Sequence, residues 1–490
     1  MNAWQLDDDR CFNPDPTRRS IARELYKHVR ALPLICPHGH VDPALLADAD
    51  ARFGSPAELL ITPDHYVTRM LHSQGVGLAD LGVPTRDGSP YERDPRAIWQ
   101  RFAERFDLFR GTPTGLWLAH ELIDLFGVEE RLGAANAQQV YDQIAGRLAA
   151  PDYTPRALWQ RFGIATLCTT DAATDDLLHH RALTTEGWGN MVRPTFRPDA
   201  LCAIDDPLWK TNLELLEARI GSHITTFAGF IEALARRRAL FRQRGAVATD
   251  HGVATPYTTR LTAGAAEAIF TRALRGGSSA ADAGTFGGHM LIEMAAMSAE
   301  DGLVMQIHAG SLRNHHPGTF QRFGTNVGAD IPLATEWTRN LAPLLQEYGT
   351  HPNLRLILFT LDESSYSREL APLAGFYPAV LLGPPWWFFD SVNGMRRYFT
   401  RVVETAGLAN TAGFNDDTRA FAAIPARHDL WRRVACDWLA ELCAEHLLEL
   451  DDAHLLAYDC AIGLAVRAYR LEDSLSGSAA GSAGAGRLNG

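Results

Sequence analysis

Short apolar runs closed by polar residues recur along the chain, with amphipathic stretches between them. The runs are LPLICP (32–37), IATLCTT (164–170), MVRPTFRP (191–198), GAVATDHG (245–252), LVMQIHAG (303–310), LRLILFTL (354–361) and YPAVLLGP (377–384). A weaker eighth is GFNDDTR (413–419). Runs of this length bounded by turn residues predict strands, and their near-continuous apolar character predicts parallel strands covered on both faces. WKTNLELLEARI, FIEALARRRALFRQR and MRRYFTRVVETAG predict helices between them. Eight strands with helical crossovers predict an α/β fold, a (β/α)8 TIM barrel.

Two stretches depart from that rhythm. Residues 41–160 predict a large helical insertion after strand 1, and 261–300 a second, Ala-rich helical excursion. Residues 1–473 are thus expected to form one barrel carrying both additions. Residues 474–490, rich in Gly, Ala and Ser, read as a low-complexity tail.

Polar residues gather where the apolar runs stop: His38 and His40, Thr169 to Asp171, Arg197, Asp250 and His251, His308, and Asp416 to Arg419. In a barrel these strand ends meet on one face, which carries the chemistry. Residues i and i+2 of an extended segment point the same way, so His38 and His40 present two imidazoles together. Two such imidazoles are half of a divalent-metal site. The first and last strands of a closed barrel are neighbours, so Asp416 or Asp417 is placed to complete it.

Composition narrows the chemistry. The net charge of −12 argues against a nucleic-acid or anionic-membrane surface, while a small anionic substrate needs local cations. No apolar run approaches the roughly 20 residues of a membrane span, and the acidic N-terminus shows no secretory signal. Seven scattered cysteines without a C-x-x-C pair suit a reducing cytoplasm. Of 46 basic residues only Lys27 and Lys210 are lysines, both in helical stretches, which argues against Schiff-base or metal-bridging lysine chemistry. Homo-oligomerisation is left open.

The segments PHGHVDP, DHYVTRM, TTDAATDDL, PTFRPDA, MQIHAGSLRNHH, GPPWWFFD, NDDTRAF and RHDLWRR follow one another between about residues 33 and 436. In that order the chain resembles the uronate isomerases of the amidohydrolase superfamily. The resemblance implies aldose–ketose isomerisation of a small sugar acid: D-glucuronate to D-fructuronate and D-galacturonate to D-tagaturonate, by proton transfer from C2 to C1 through an enediol-type intermediate. It implies one divalent metal, expected to be zinc, on His38, His40, Asp417 and His308. Asp417 matches the family's carboxylate, implied as both ligand and C2 base, with Arg419 steadying charge and the His65–Tyr66 pair moving a proton near the sugar. Arg197 is expected to hold the substrate carboxylate. Trp386 walls the pocket, and Asp250, His251 and Arg313 are rim candidates. Strand 4 ends ATDHG, with no Lys or Glu to bridge two metals, so a mononuclear site is expected; its catalytic necessity stays open. The alternatives are a mononuclear metal-dependent hydrolase of a sugar lactone or amide on the same barrel, and a catalytically inert binding protein.

Overall fold

Apolar sequence on both sides of each strand is buried twice over, against helices outside and a second core inside. The computed structural model describes residues 3–476. Its strands are β1 (Leu34–Cys36), β2 (Ile164–Cys168, resuming at Asp171–Ala172), β3 (Val192–Arg193, resuming at Phe196–Arg197), β4 (Ala248–Val253), β5 (Val304–Ala309), β6 (Leu356–Thr360) and β7 (Val380–Leu382). Each pairs in parallel with the next in chain order. β2 and β3 stay joined across their interruptions, because the Thr169 and Asp171 N–H groups donate to the Arg193 and Thr195 carbonyls.

The expected eighth strand does not form. Residues 411–418 instead lie as an irregular segment between β7 and β1. The Ala412 N–H donates to the Leu382 carbonyl at 2.8 Å, and the His40 N–H donates to the Thr418 carbonyl at 2.9 Å. Gly413 (φ +71°) and Asp417 (φ +41°) adopt left-handed backbone, which breaks the extended geometry a ladder needs.

Alternation sorts the strand side chains. Ile35, Ala248, Val304, Ile357 and Phe359 form one cluster with Ile462, Ala465, Val466, Tyr469 and Leu471 from the C-terminal helical region. Met305, Ile307, Leu356 and Leu358 face the larger outer cluster. Four helices matter for the site: α1 (Pro16–Val29), α2 (His65–Ser73), α3 (Pro113–His120) and α4 (Ile424–Ala444). α1 packs its buried Ala22, Leu25 and Val29 towards α4, each large apolar side chain contributing about 1.5–3 kcal/mol. α2 and α3 belong to the helical stretch between β1 and β2. Residues 261–300 contain helices Ala263–Leu274 and Ala280–Asp301, the latter ending one residue later. Residues 474–476 close the short helix Glu472–Ser476, and the rest of the expected tail lies outside the described residues. Among the described residues, no helix is long and apolar enough to cross a membrane.

Candidate active site

The chain leaves β1 through Pro37 and turns His38 and His40 onto the face where the strands end. Gly39 fits between them: a Cβ there would lie 3.5 Å from both the Asp416 carboxylate and the Thr418 carbonyl. Both imidazoles converge on one atom. His38 Nε2 and His40 Nε2 lie 3.4 and 3.2 Å from Asp417 Oδ1. Asp416 points away, towards His428. Asp417 therefore enters the pocket, presented by its left-handed backbone.

Trp386 donates its indole N–H to Asp417 Oδ2 at 2.6 Å. Burial alone pushes the Asp417 carboxyl up, but the two histidines more than reverse this and hold it well below the usual carboxylate range. His38 responds oppositely: burial lowers it and Asp417 raises it past its ordinary value. Burial dominates at His40, pulled down to about 4, so that ring stays neutral at working pH.

His308 sits beside this group, its ring stacked on His38 with centroids 4.5 Å apart. It is oriented from behind by a charged chain. His308 Nδ1 donates to Asp250 Oδ1 at 2.7 Å, Asp250 Oδ2 accepts from Arg197 Nη1 at 3.1 Å, and Arg197 Nε donates to Asp199 at 2.7 Å. The proton on Nδ1 leaves His308 Nε2 as a lone pair, and among the described residues this atom, His38 Nδ1 and Asp417 Oδ1 are buried without hydrogen-bond partners. Two overlapping groups, His38–His40–Asp417 and His38–Asp250–His308, bring ligand atoms within 4.8 Å. Unpartnered imidazole and carboxylate atoms, with a carboxylate orienting one ring from behind, fit a divalent cation.

The opposite wall comes from the helical stretch after β1. Asp64 caps α2 by accepting from the Tyr66 N–H at 2.8 Å, which sets His65 and Tyr66 in the first turn. His65 packs edge-on against Trp387, and Tyr66 edge-on against Trp117 of α3. Burial, then the nearby Arg419, pull His65 down to about 3. Burial also pushes the Tyr66 phenol up, so it remains a donor.

Most of these residues line one cavity with Arg313, Asp330, Asn326, Trp387 and Arg419. Its cations are not equivalent. Arg197 is held by two carboxylates and Arg313 donates to Asp330 at 2.9 Å, whereas Arg419, half-buried, forms no ion pair among the described residues. One rim candidate is misplaced by the sequence reading. Strand alternation turns His251 away from Asp250, so it bonds Thr249 and lines a different cavity. Asp64, Asn326, Asp330 and Trp387 escaped the sequence reading; the N-cap position before His65 was the one available signal, for Asp64.

Arg427 of α4 lies beneath the pocket, 1% exposed. It donates to Asp390 at 3.0 Å and to the Asp416 carbonyl at 2.9 Å, and stacks on Trp117 and Tyr66. Burial pushes Asp390 up to about 7 despite this partner.

Residues 17–459 match the family model described as glucuronate isomerase. Over 95% of the chain, uronate isomerases of Nostoc punctiforme and Rhizobium meliloti are 58% and 51% identical, with 98% and 99% of their own lengths covered. The crystal structure of glucuronate isomerase from Caulobacter crescentus superposes with a TM-score of 0.94 at 46% identity, covering 96% of this chain and 98% of that one. A putative metal-dependent hydrolase of Lactobacillus casei shares the fold alone, with a TM-score of 0.53 at 16% identity, and lends the hydrolase alternative no support. With the fold and the nearly whole-chain similarity in agreement, the chain belongs to the glucuronate isomerase family and is a uronate isomerase, an aldose–ketose isomerase.

Proposed function

We propose that the pocket takes the open-chain hexuronates D-glucuronate and D-galacturonate and moves a proton from C2 to C1, giving D-fructuronate and D-tagaturonate. The observation that carries this reading is Asp417: an ionised carboxylate, oriented by Trp386 and facing a cavity that also holds Arg419. A base poised there abstracts the C2 proton, and the enediol-type intermediate places negative charge on O1 or O2. Arg419, close in sequence and without an ion pair among the described residues, stabilises that charge as it develops. Tyr66 stays protonated and donates to a sugar oxygen, while neutral His65 relays the hydroxyl proton.

The substrate carboxylate needs a cation as well. Arg197 was the expectation, but Asp199 and Asp250 already satisfy much of its charge. Arg313 beside Trp387 is the better anchor, and Arg197 keeps a positioning role through Asp250 and His308. His38, His40, Asp417 and His308 would hold a divalent cation, of the zinc class by their donor types. Such a cation supplies positive charge that polarises a sugar oxygen. The work is that of a cytoplasmic sugar-acid catabolic enzyme with a small anionic substrate.

Proton NMR of each aldose incubated with the enzyme in D2O tests the reading. Formation of the 2-ketose with solvent deuterium at C1 is expected. No conversion of either uronate by folded, zinc-supplied protein would sink it.

A further inference from the structure

Behind the pocket, three buried side chains remain that substrate chemistry does not use. Cys36 of β1, Asp416 of the irregular last segment and His428 of α4 bring a sulfur, a carboxylate oxygen and an imidazole nitrogen within 4.8 Å of one another. All three are at most 2% exposed.

His428 is within hydrogen-bonding reach of both partners. His428 Nε2 stands 3.3 Å from Asp416 Oδ2 and 3.6 Å from Cys36 Sγ. The comparable imidazole–carboxylate contact in this protein, His308 to Asp250, closes to 2.7 Å. The separations around Cys36, Asp416 and His428 also match those of ligands around one ion. With Zn–S about 2.3 Å and Zn–N and Zn–O about 2.0 Å, tetrahedral angles set sulfur and nitrogen about 3.5 Å apart and nitrogen and oxygen about 3.3 Å apart. Charge agrees with geometry: a thiolate and a carboxylate balance a dication, so a loaded site buries no net charge.

The place also calls for a cross-link. Among the described residues no strand ladder joins the last segment to β1, and the backbone contact across the seam is the His40 N–H donated to the Thr418 carbonyl. Cys36, Asp416 and His428 come from the two sides of that seam and from the helix covering it.

We propose that Cys36, Asp416 and His428 form a second, structural site for a divalent cation of the zinc class, distinct from the His38–His40–Asp417 group, clamping β1, the last segment and α4 together. On loading, the thiol proton leaves to solvent and His428 contributes the Nε2 lone pair. Because all three donors are buried, loading accompanies folding.

Cobalt separates the two sites, since sulfur ligation gives a near-ultraviolet charge-transfer band and the pocket group contains no sulfur. The full chain, produced with Co²⁺ as the supplied metal, is expected to carry two equivalents per chain and show that band. C36S should lose the band and one equivalent. The double variant H38A/H40A should keep the band while losing the other equivalent. If C36S fails to fold, the wild type and the double variant still decide. A wild type with one equivalent or fewer and no band overturns the proposal, as does a band that survives in C36S.

Discussion

Asp250→Asn isolates the charged chain behind the site. Asp250 is 1% exposed and accepts from both His308 Nδ1 and Arg197 Nη1. The amide keeps one acceptor oxygen for His308 but turns a donor towards Arg197, so a buried guanidinium loses one of its two carboxylates. Breaking a buried ion pair by removing one partner costs about 3–5 kcal/mol. Arg197 retains Asp199, so the lower end is expected: about 3 kcal/mol, a loss that a stability of roughly 5–15 kcal/mol survives.

The pH dependence has a fixed sign. Burial pushes the Asp250 carboxyl up, but Arg197 and His308 hold it well below the usual range. A carboxyl lowered on folding contributes stability above its unfolded pKa and loses it as pH falls through the folded value. The gap between wild type and variant should therefore be flat from about pH 8 to about pH 5 and close only in stronger acid, below about pH 4. Urea unfolding of both proteins across that range measures it. A gap below about 1 kcal/mol, within the range of a neutral hydrogen bond, or one that widens on acidification, would refute the reasoning.

Three further outcomes follow from the same structure. Trp386→Phe removes the N–H donated to Asp417; a bond to a charged group is worth about 1.5–3 kcal/mol, so the acid limb of kcat/KM should move up by about 1–2 pH units. An unmoved limb would mean the indole does not support the ionised carboxylate. Arg427→Met strands Asp390 and unties the Asp416 carbonyl, which should cost about 3–5 kcal/mol in urea unfolding, and under 1 kcal/mol would contradict the assignment. Glu121 is buried, and that burial pushes it up to about 8. Its protonated form is favoured by folding, so stability should fall as pH rises from about 4.5 through about 8, and Glu121→Gln should remove that decline from a melting-temperature series.

Some of this was open to the sequence and some was not. Two-residue alternation brings His38 and His40 to one side, and the apolar runs mark the strands, because both depend on local chain geometry. The same rule, applied to Asp250 and His251, would have sent His251 outward. The choice between Asp416 and Asp417 was out of reach of periodicity, since the left-handed Asp417 takes the last segment out of strand geometry altogether. Which arginine stays free was equally hidden. Arg197, Arg313 and Arg419 look alike in sequence, and only their distant partners Asp250 and Asp330 separate them. Arg427 reaches the pocket floor from a helix beyond the last segment, a contact that no local pattern encodes.

The central claim is that Asp417 removes the proton at C2, and deuterium at that carbon tests it most directly. Wild type and Asp417→Asn would each be incubated with D-glucuronate labelled with deuterium at C2, and loss of the label followed by NMR. A positioned general base contributes typically about 100- to 10,000-fold, so wash-out by the variant should be at least about 100-fold slower. Wash-out at the wild-type rate from a folded variant would contradict the account and move the base elsewhere in the pocket.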